Sequence, residues 1–270
     1  MNKAIGVIDS GVGGLTVAYE LMRQLPKEQL IYLGDTARCP YGPRVNDEVR
    51  TFTWEMVDFL MKKDIKMLIV ACNTATAFTL NELKSNMSIP VIGVIKPGAR
   101  AAINETKTNH IGVIGTEGTI RSNAYTKALN DIHAGLQVQS LACPSFVPMV
   151  EQGMLNGEQA EAMVTRSLYS LTQQEELDTL ILGCTHYPLI KHTIQHVMGR
   201  DVAIISSSEE TAREASTILE FRNLLYKGHN TPFHQFYSTG QMEVFATITE
   251  EIFKEFIDHF HSVTIEKAIL

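Results

Sequence analysis

Met67-Leu68-Ile69-Val70-Ala71-Cys72-Asn73-Thr74 is an apolar run that stops at a cysteine followed by two hydrogen-bonding side chains. Thr179-Leu180-Ile181-Leu182-Gly183-Cys184-Thr185-His186 echoes it 112 residues later. A short apolar run without polar alternation reads as a strand buried on both faces, the habit of parallel sheets covered by helices. Ile5-Gly6-Val7-Ile8 returns as Ile111-Gly112-Val113-Ile114, 106 residues on, and Cys39-Pro40 returns as Cys143-Pro144, 104 on. Ala99-Arg100 and Ala212-Arg213 match more weakly. Matches that keep their order while the offset drifts predict two copies of one unit with different loop insertions. The period is too long for a solenoid. The expected fold is therefore α/β, with two pseudo-symmetric domains arising by internal duplication, each a mostly parallel sheet flanked by helices.

Working outward, further strand signals are Ala4–Ile8, Leu30–Leu33, Val91–Ile95 and Val202–Ile205, with the copies just quoted giving 67–72, 111–114 and 180–184. Phe52, Met56, Phe59 and Leu60 make one helical stripe between strands, and Ile252, Phe253, Phe256, Ile257 and Phe260 predict a last helix near 243–260. Pro and Gly in Lys96-Pro97-Gly98 follow a strand and mark the expected boundary. The expected division is 1–97 plus 207–270 for the first domain and 98–206 for the second, the tail packing back on the first copy. Ligands of open α/β sheets bind beyond the carboxyl ends of the strands. Two facing copies thus predict an active site in the interdomain cleft.

Composition narrows the function classes. A 44% apolar and 20% charged chain is that of an ordinary folded protein. A formal charge of −7 argues against nucleic-acid binding, which needs clustered Lys and Arg. No apolar run approaches the ~18 residues of a membrane helix, and the five uncharged residues from Ala4 to Ile8 are too few for a signal-peptide core. Four cysteines without a CxxC pair fit a reducing cytoplasm better than a disulfide scaffold.

Cys72 and Cys184 each end a buried strand. Asn and Thr beside them are helix N-cap residues, and a helix N-terminus lowers a thiol's pKa. Either cysteine alone reads equally as a small buried hydrophobe; two at matching positions of a repeat point to chemistry. Inverting a stereocentre needs one group to remove a proton from one face of a carbon and a second to return a proton on the other. Two thiols across a pseudo-twofold cleft meet that demand. No motif sets Lys or Arg beside them, so backbone N–H groups must help stabilise the carbanion of a weakly acidic α-carbon.

Asp9-Ser10-Gly11-Val12-Gly13-Gly14 fails the dinucleotide fingerprint, because Thr16 stands at its third glycine. Asp9 at a buried strand end either caps the turn or has a task. His186 could exchange protons with Cys184 or be a core histidine. His192 and His196, at i and i+4, raise zinc together with Cys184 and His186, but the helix lacks the HExxH glutamate, and no metal is expected. Read alone, Glu151 and Asp35 are surface or turn acids, and Cys39 and Cys143 have no catalytic partner in sequence.

The combination of Asp9-Ser10-Gly11-Val12-Gly13-Gly14-Leu15-Thr16, Gly34-Asp35-Thr36-Ala37-Arg38-Cys39-Pro40-Tyr41-Gly42, Ala71-Cys72-Asn73-Thr74-Ala75 and Leu182-Gly183-Cys184-Thr185-His186-Tyr187-Pro188 resembles the glutamate racemase family, within the cofactor-independent aspartate/glutamate racemase superfamily. The resemblance implies interconversion of L- and D-glutamate without a cofactor, supplying D-glutamate for peptidoglycan. It implies Cys72 and Cys184 as the catalytic thiols, Asp9 as the acid assisting the first, His186 as the histidine assisting the second, and Glu151 as the glutamate near it. It implies substrate binding at Ser10, Tyr41, Gly42, Asn73, Thr74 and Thr185, besides Asp9 and His186, with Thr116 and Thr119 also near the ligand. A homodimer with no membrane or nucleic-acid partner is the further expectation. Two other readings stay open at this stage. One is racemisation of aspartate, since one methylene is worth only ~1–3 kcal/mol. The other is a protein that closes on an anionic amino acid without chemistry.

Overall fold

The computed structural model describes residues 3–254 and 263–270. Its first sheet has six strands: β1 (Ala4–Asp9), β2 (Leu30–Gly34), β3 (Ile65–Val70), β4 (Val91–Gly93), β9 (His234–Ser238) and β10 (Val263–Lys267), in the order β10-β9-β2-β1-β3-β4. The second has β5 (His110–Gly115), β6 (Gln137–Ala142), β7 (Thr179–Gly183) and β8 (Ala203–Ser206), in the order β6-β5-β7-β8. Every described pairing is parallel. The order β2-β1-β3-β4 recurs as β6-β5-β7-β8, so the strands matched by the sequence repeat hold equivalent places.

Helices cover both sheets: α1 (Leu15–Gln24), α2 (Asn46–Met61), α3 (Asn73–Asn86), α4 (Ile95–Glu105), α5 (Glu117–Arg121), α6 (Ala124–Ile132), α7 (Phe146–Glu151), α8 (Glu158–Thr172), α9 (Lys191–Met198), α10 (Ser207–Phe221) and α11 (Met242–Ile252). Burial on both faces follows from the alternation of side chains along a strand. Ile5, Val7, Met67 and Ile69 pack with Leu21 of α1, Ala215 of α10 and Phe245 of α11 on one face of the first sheet. Ile8, Leu68 and Val70 pack with Met56 and Leu60 of α2 and Leu83 of α3 on the other. The second sheet divides likewise, with Leu180 and Leu182 meeting Val164 and Leu168 of α8, and Ile181 meeting Ala99 of α4 and Leu129 of α6.

Several sequence expectations need correction. Ile95 opens α4 rather than ending a strand, and Lys96-Pro97-Gly98 form the first turn of that helix, not a loop. Proline is tolerated there, because the first N–H groups of a helix have no intrahelical partner. The third strand runs over Ile65–Val70, two residues earlier than read, so Cys72 stands beyond its end. β6, β9 and β10 had no apolar run to announce them. β6 and β10 are edge strands, half-buried and polar, and β9 reads His234-Gln235-Phe236-Tyr237-Ser238. β9 and β10 bring the tail back onto the first sheet beside β2. Of the expected last helix, α11 carries Ile252, while Phe256, Ile257 and Phe260 lie outside the described residues. No helix of the described residues is long and apolar enough to cross a membrane.

Candidate active site

The carboxyl ends of the two sheets supply the site. Asp9 ends β1, Cys72 follows β3, Thr116 follows β5 and Cys184 follows β7. Ser10, Tyr41, Gly42, Cys72, Asn73, Thr74, Thr116, Cys184, Thr185 and His186 line one narrow cavity of about 10 Å³, room for little more than a water molecule. Both thiols are therefore in one pocket. Cross-sheet bonds close it: the Gly118 N–H donates to the Gly42 carbonyl at 2.9 Å, the Thr185 hydroxyl to Asp9 Oδ2 at 3.1 Å, and the Tyr125 hydroxyl to Asn73 Oδ1 at 2.7 Å. Thr74 meets Thr116 at 2.8 Å and Thr119 at 3.1 Å. Gly42 lies so close to Thr116 that a Cβ would fall 2.5 Å from the threonine Cβ. Only glycine permits that approach.

Cys72 is the N-cap of α3. Its sulfur accepts from the Ala75 N–H at 3.4 Å and its thiol donates to Ser10 Oγ at 3.3 Å. The N-terminal effect expected from sequence is present but loses. Burial and the neighbouring Asp9 carboxylate push the thiol up to about 12, against the lowering from Ser10 and Ala75. Bringing this sulfur to its thiolate means ionising it in a desolvated site beside another acid. Alkylation of Cys72 by iodoacetamide in the substrate-free protein is expected to be slow at pH 7 and to rise about tenfold per pH unit toward 12. Peptide mass spectrometry reads this directly, and a rate that levels off below pH 9 would contradict it.

Cys184 departs from its counterpart. After it the chain makes a short 3-10 turn, Tyr187–Ile190, and α9 begins only at Lys191, so no α-helix N-terminus stands at this sulfur. Its partner is a side chain instead: Sγ lies 3.8 Å from His186 Nδ1, and His186 Nε2 lies 2.7 Å from Glu151 Oε1. Burial opposes charge on His186, but hydrogen bonds to Cys184, Cys39 and Glu151 outweigh it and hold the ring's pKa well above the usual 6.5. The protonated ring therefore contributes stability that is complete below pH 6.5 and is lost as pH rises through the folded value. The gap in thermal unfolding midpoint between the protein and His186→Gln should narrow steadily above pH 6.5. A gap that widens would reverse the assigned charge.

Asp9 is fully buried. The Gly11 N–H donates to its Oδ1 at 2.9 Å, and burial raises its pKa, opposed chiefly by His186 and by bonds from Gly11, Gly14 and Thr185. It is thus both turn cap and cavity acid. Asn73 Nδ2 is buried with no hydrogen-bond partner, an unsatisfied donor in the cavity lining. The Tyr41 hydroxyl donates its proton to Asp35, so toward a ligand the phenol oxygen can only accept. Asp35, read from sequence as a turn acid, is completely buried, holding Tyr41, Arg38 and Thr239. Glu151 is no isolated surface acid, since it holds His186.

One residue escaped the sequence reading. The Cys39 thiol donates to Glu151 Oε1 at 3.8 Å, and its sulfur lies within 4.8 Å of the His186 ring. The only hint was the family-like segment around it, because its partners lie more than one hundred positions away. Cys39, Glu151 and His186 are the one group of metal-capable side chains found among the described residues. His196 pairs with Glu161 on the surface, and neither it nor His192 joins Cys184 and His186 there.

The sequence pattern of Asp/Glu/Hydantoin racemases matches residues 5–215. That match spans most of the chain and includes both strand-end cysteines. The chain belongs to the Asp/Glu/hydantoin racemase family. It is an amino-acid racemase, an isomerase. A glutamate racemase of Oceanobacillus iheyensis is 64% identical over 268 residues, covering 99% of this chain and 97% of the relative. The solved glutamate racemase isoform RacE1 of Bacillus anthracis superposes with a TM-score of 0.91 at 50% identity, covering 99% of this chain and 98% of that one. A glutamate racemase of Francisella tularensis, solved in complex with D-glutamate, gives 0.89 at 34% identity, covering 100% and 97%. The two-sheet arrangement is thus shared with glutamate racemases of known structure.

Proposed function

We propose that this racemase interconverts L- and D-glutamate by a cofactor-independent two-base 1,1-proton transfer between Cys72 and Cys184. The observation that carries the reading is the convergence of two sulfurs, one from the third strand of each copy, on one enclosed cavity. In one direction a thiolate takes the α-proton and the C–H electron pair remains on carbon as a carboxylate-stabilised carbanion. The opposing thiol then delivers its proton to the other face, and the roles exchange in the reverse direction. No net proton is gained or lost.

Neither Lys nor Arg occurs among the described lining residues. The substrate's own ammonium would bring positive charge beside Asp9 and Cys72, favouring the ionised forms that burial now opposes. Asn73 Nδ2, which has no partner, and the Ser10 hydroxyl, which accepts from Cys72 and keeps its own proton, are the donors for the carboxylates, while Thr74, Thr116 and Thr185 line the cavity and Tyr41 and Gly42 wall the substrate in. On the second side Glu151 and His186 keep Cys184 supplied with a proton partner. Asp9 has the matching task for Cys72. The product D-glutamate fits peptidoglycan biosynthesis, and a pair of working free thiols fits the cytoplasm.

Incubation of L-glutamate in deuterated water tests the reading. The expected result is loss of optical activity with one deuterium entering Cα per inversion. Unchanged chirality with tight glutamate binding would instead make this a binding protein, and a faster rate with aspartate would reassign the substrate. A homodimer belongs to the same proposal, and sedimentation at the mass of a single 30.0 kDa chain would remove it.

A further inference from the structure

We propose that Cys39, Glu151 and His186 form a binding site for one soft divalent cation, zinc in the first place, that silences the Cys184 side of the active site. The donors are a thiol, a carboxylate and an imidazole, whose ligand atoms all lie within 4.8 Å of one another. This is the mixed S/N/O set that suits zinc rather than calcium or magnesium. A tetrahedral ion with bonds of roughly 2.0–2.3 Å sets its donors roughly 3.3–3.8 Å apart. Glu151 Oε1 stands 2.7 Å from His186 Nε2 and 3.8 Å from Cys39 Sγ, so the first pair must spread, by a rotation of the carboxylate, while Cys39 Sγ and the imidazole start within 4.8 Å of each other. Cys39 and Glu151 are incompletely buried, and Glu151 keeps 28% of its side chain exposed, which gives the ion a way in.

Charge and protons balance. The ion replaces the protons of the Cys39 thiol and of His186 Nε2, and both leave to solvent. A dication then faces one thiolate and one carboxylate with a neutral imidazole, leaving no net charge in a largely desolvated site. The imidazole keeps Nδ1 toward Cys184 but, with Nε2 on the metal, can no longer pass charge to Glu151. The silencing rests on the function proposed above; the binding does not.

The test uses the full chain, stripped of metal and free of glutamate. Cobalt(II), as a spectroscopic substitute for zinc, is titrated while the near-ultraviolet thiolate-to-metal absorption is followed, and zinc is titrated in the racemase assay. One equivalent of cobalt should bind with a thiolate band, and zinc should inhibit. Cys39→Ala should lose the band, bind more weakly by more than the roughly 10–100-fold typical of an outer-shell change, and escape inhibition while still racemising. Cys39→Ser, which keeps the size and a hydroxyl, should behave the same and guards against a folding defect. A band of unchanged strength in both variants would assign the sulfur to another cysteine and overturn the site, as would no binding by the unaltered chain. A chain that binds cobalt through Cys39 yet leaves glutamate unchanged would sink the proposed function and spare the metal site.

Discussion

Cys72→Ser and Cys184→Ser should each lower racemisation of glutamate by about 10²–10⁴-fold, the range that a positioned acid or base contributes. Serine keeps the shape and the hydrogen bonds: at 72 it can still cap α3 and meet Ser10, and at 184 it can still face His186. What it loses is acidity. A hydroxyl neither gives nor takes a proton at the α-carbon as a thiol does, so the fold survives and inversion stops. The two variants should also fail differently. Each retains at most the wash-out of the α-proton from one enantiomer, and the enantiomer should be the opposite one for the other variant, because each sulfur serves one face. Circular dichroism at a glutamate band follows inversion, and proton NMR in deuterated water follows wash-out. Full turnover by either variant would remove that sulfur from the chemistry.

Gly13→Ala should cost about 1–3 kcal/mol of stability, as overpacked sites do, and on the order of 10² in kcat/KM. An added Cβ would fall 2.5 Å from Thr185 Oγ1, 2.6 Å from His186 Nδ1 and 2.7 Å from the His186 backbone nitrogen. A flexible side-chain tip could move aside, but the backbone nitrogen cannot, so the 185–186 segment must shift. That segment carries the hydroxyl bonded to Asp9 and the ring beside Cys184. A displacement near 1 Å of such groups is enough for a loss of about 10²-fold. Urea unfolding and steady-state kinetics separate the two effects, and kcat should fall more than KM rises. Unaltered kinetics in a folded Gly13→Ala protein would mean that the turn's close approach has no part in positioning Thr185 and His186.

The glycine turn illustrates how much was readable. In Asp9-Ser10-Gly11-Val12-Gly13-Gly14 the sequence offers Asp9 as a turn cap at a buried strand end, and the Gly11 N–H does donate to its carboxylate. That Gly13 is pressed against the Thr185-His186 segment was not readable, since 172 positions separate Gly13 from Thr185. Edge strands were missed for a related reason. A strand such as β6, a half-buried edge strand, needs no continuous apolar run, so its sequence carries no such signal.

The α/β class, the repeat and the strand-end position of both cysteines were determined by the amino-acid sequence alone, because side-chain alternation and apolar runs are local properties of a chain. The tertiary structure decided what those residues meet. It set Cys39 against Glu151 and His186, buried Asp35 with Tyr41, and left Asn73 Nδ2 without a partner. It also reversed the direction expected for the Cys72 thiol, from lowered to raised. A helix end is visible in ten residues of sequence; desolvation and a neighbouring carboxylate depend on segments brought together only by folding.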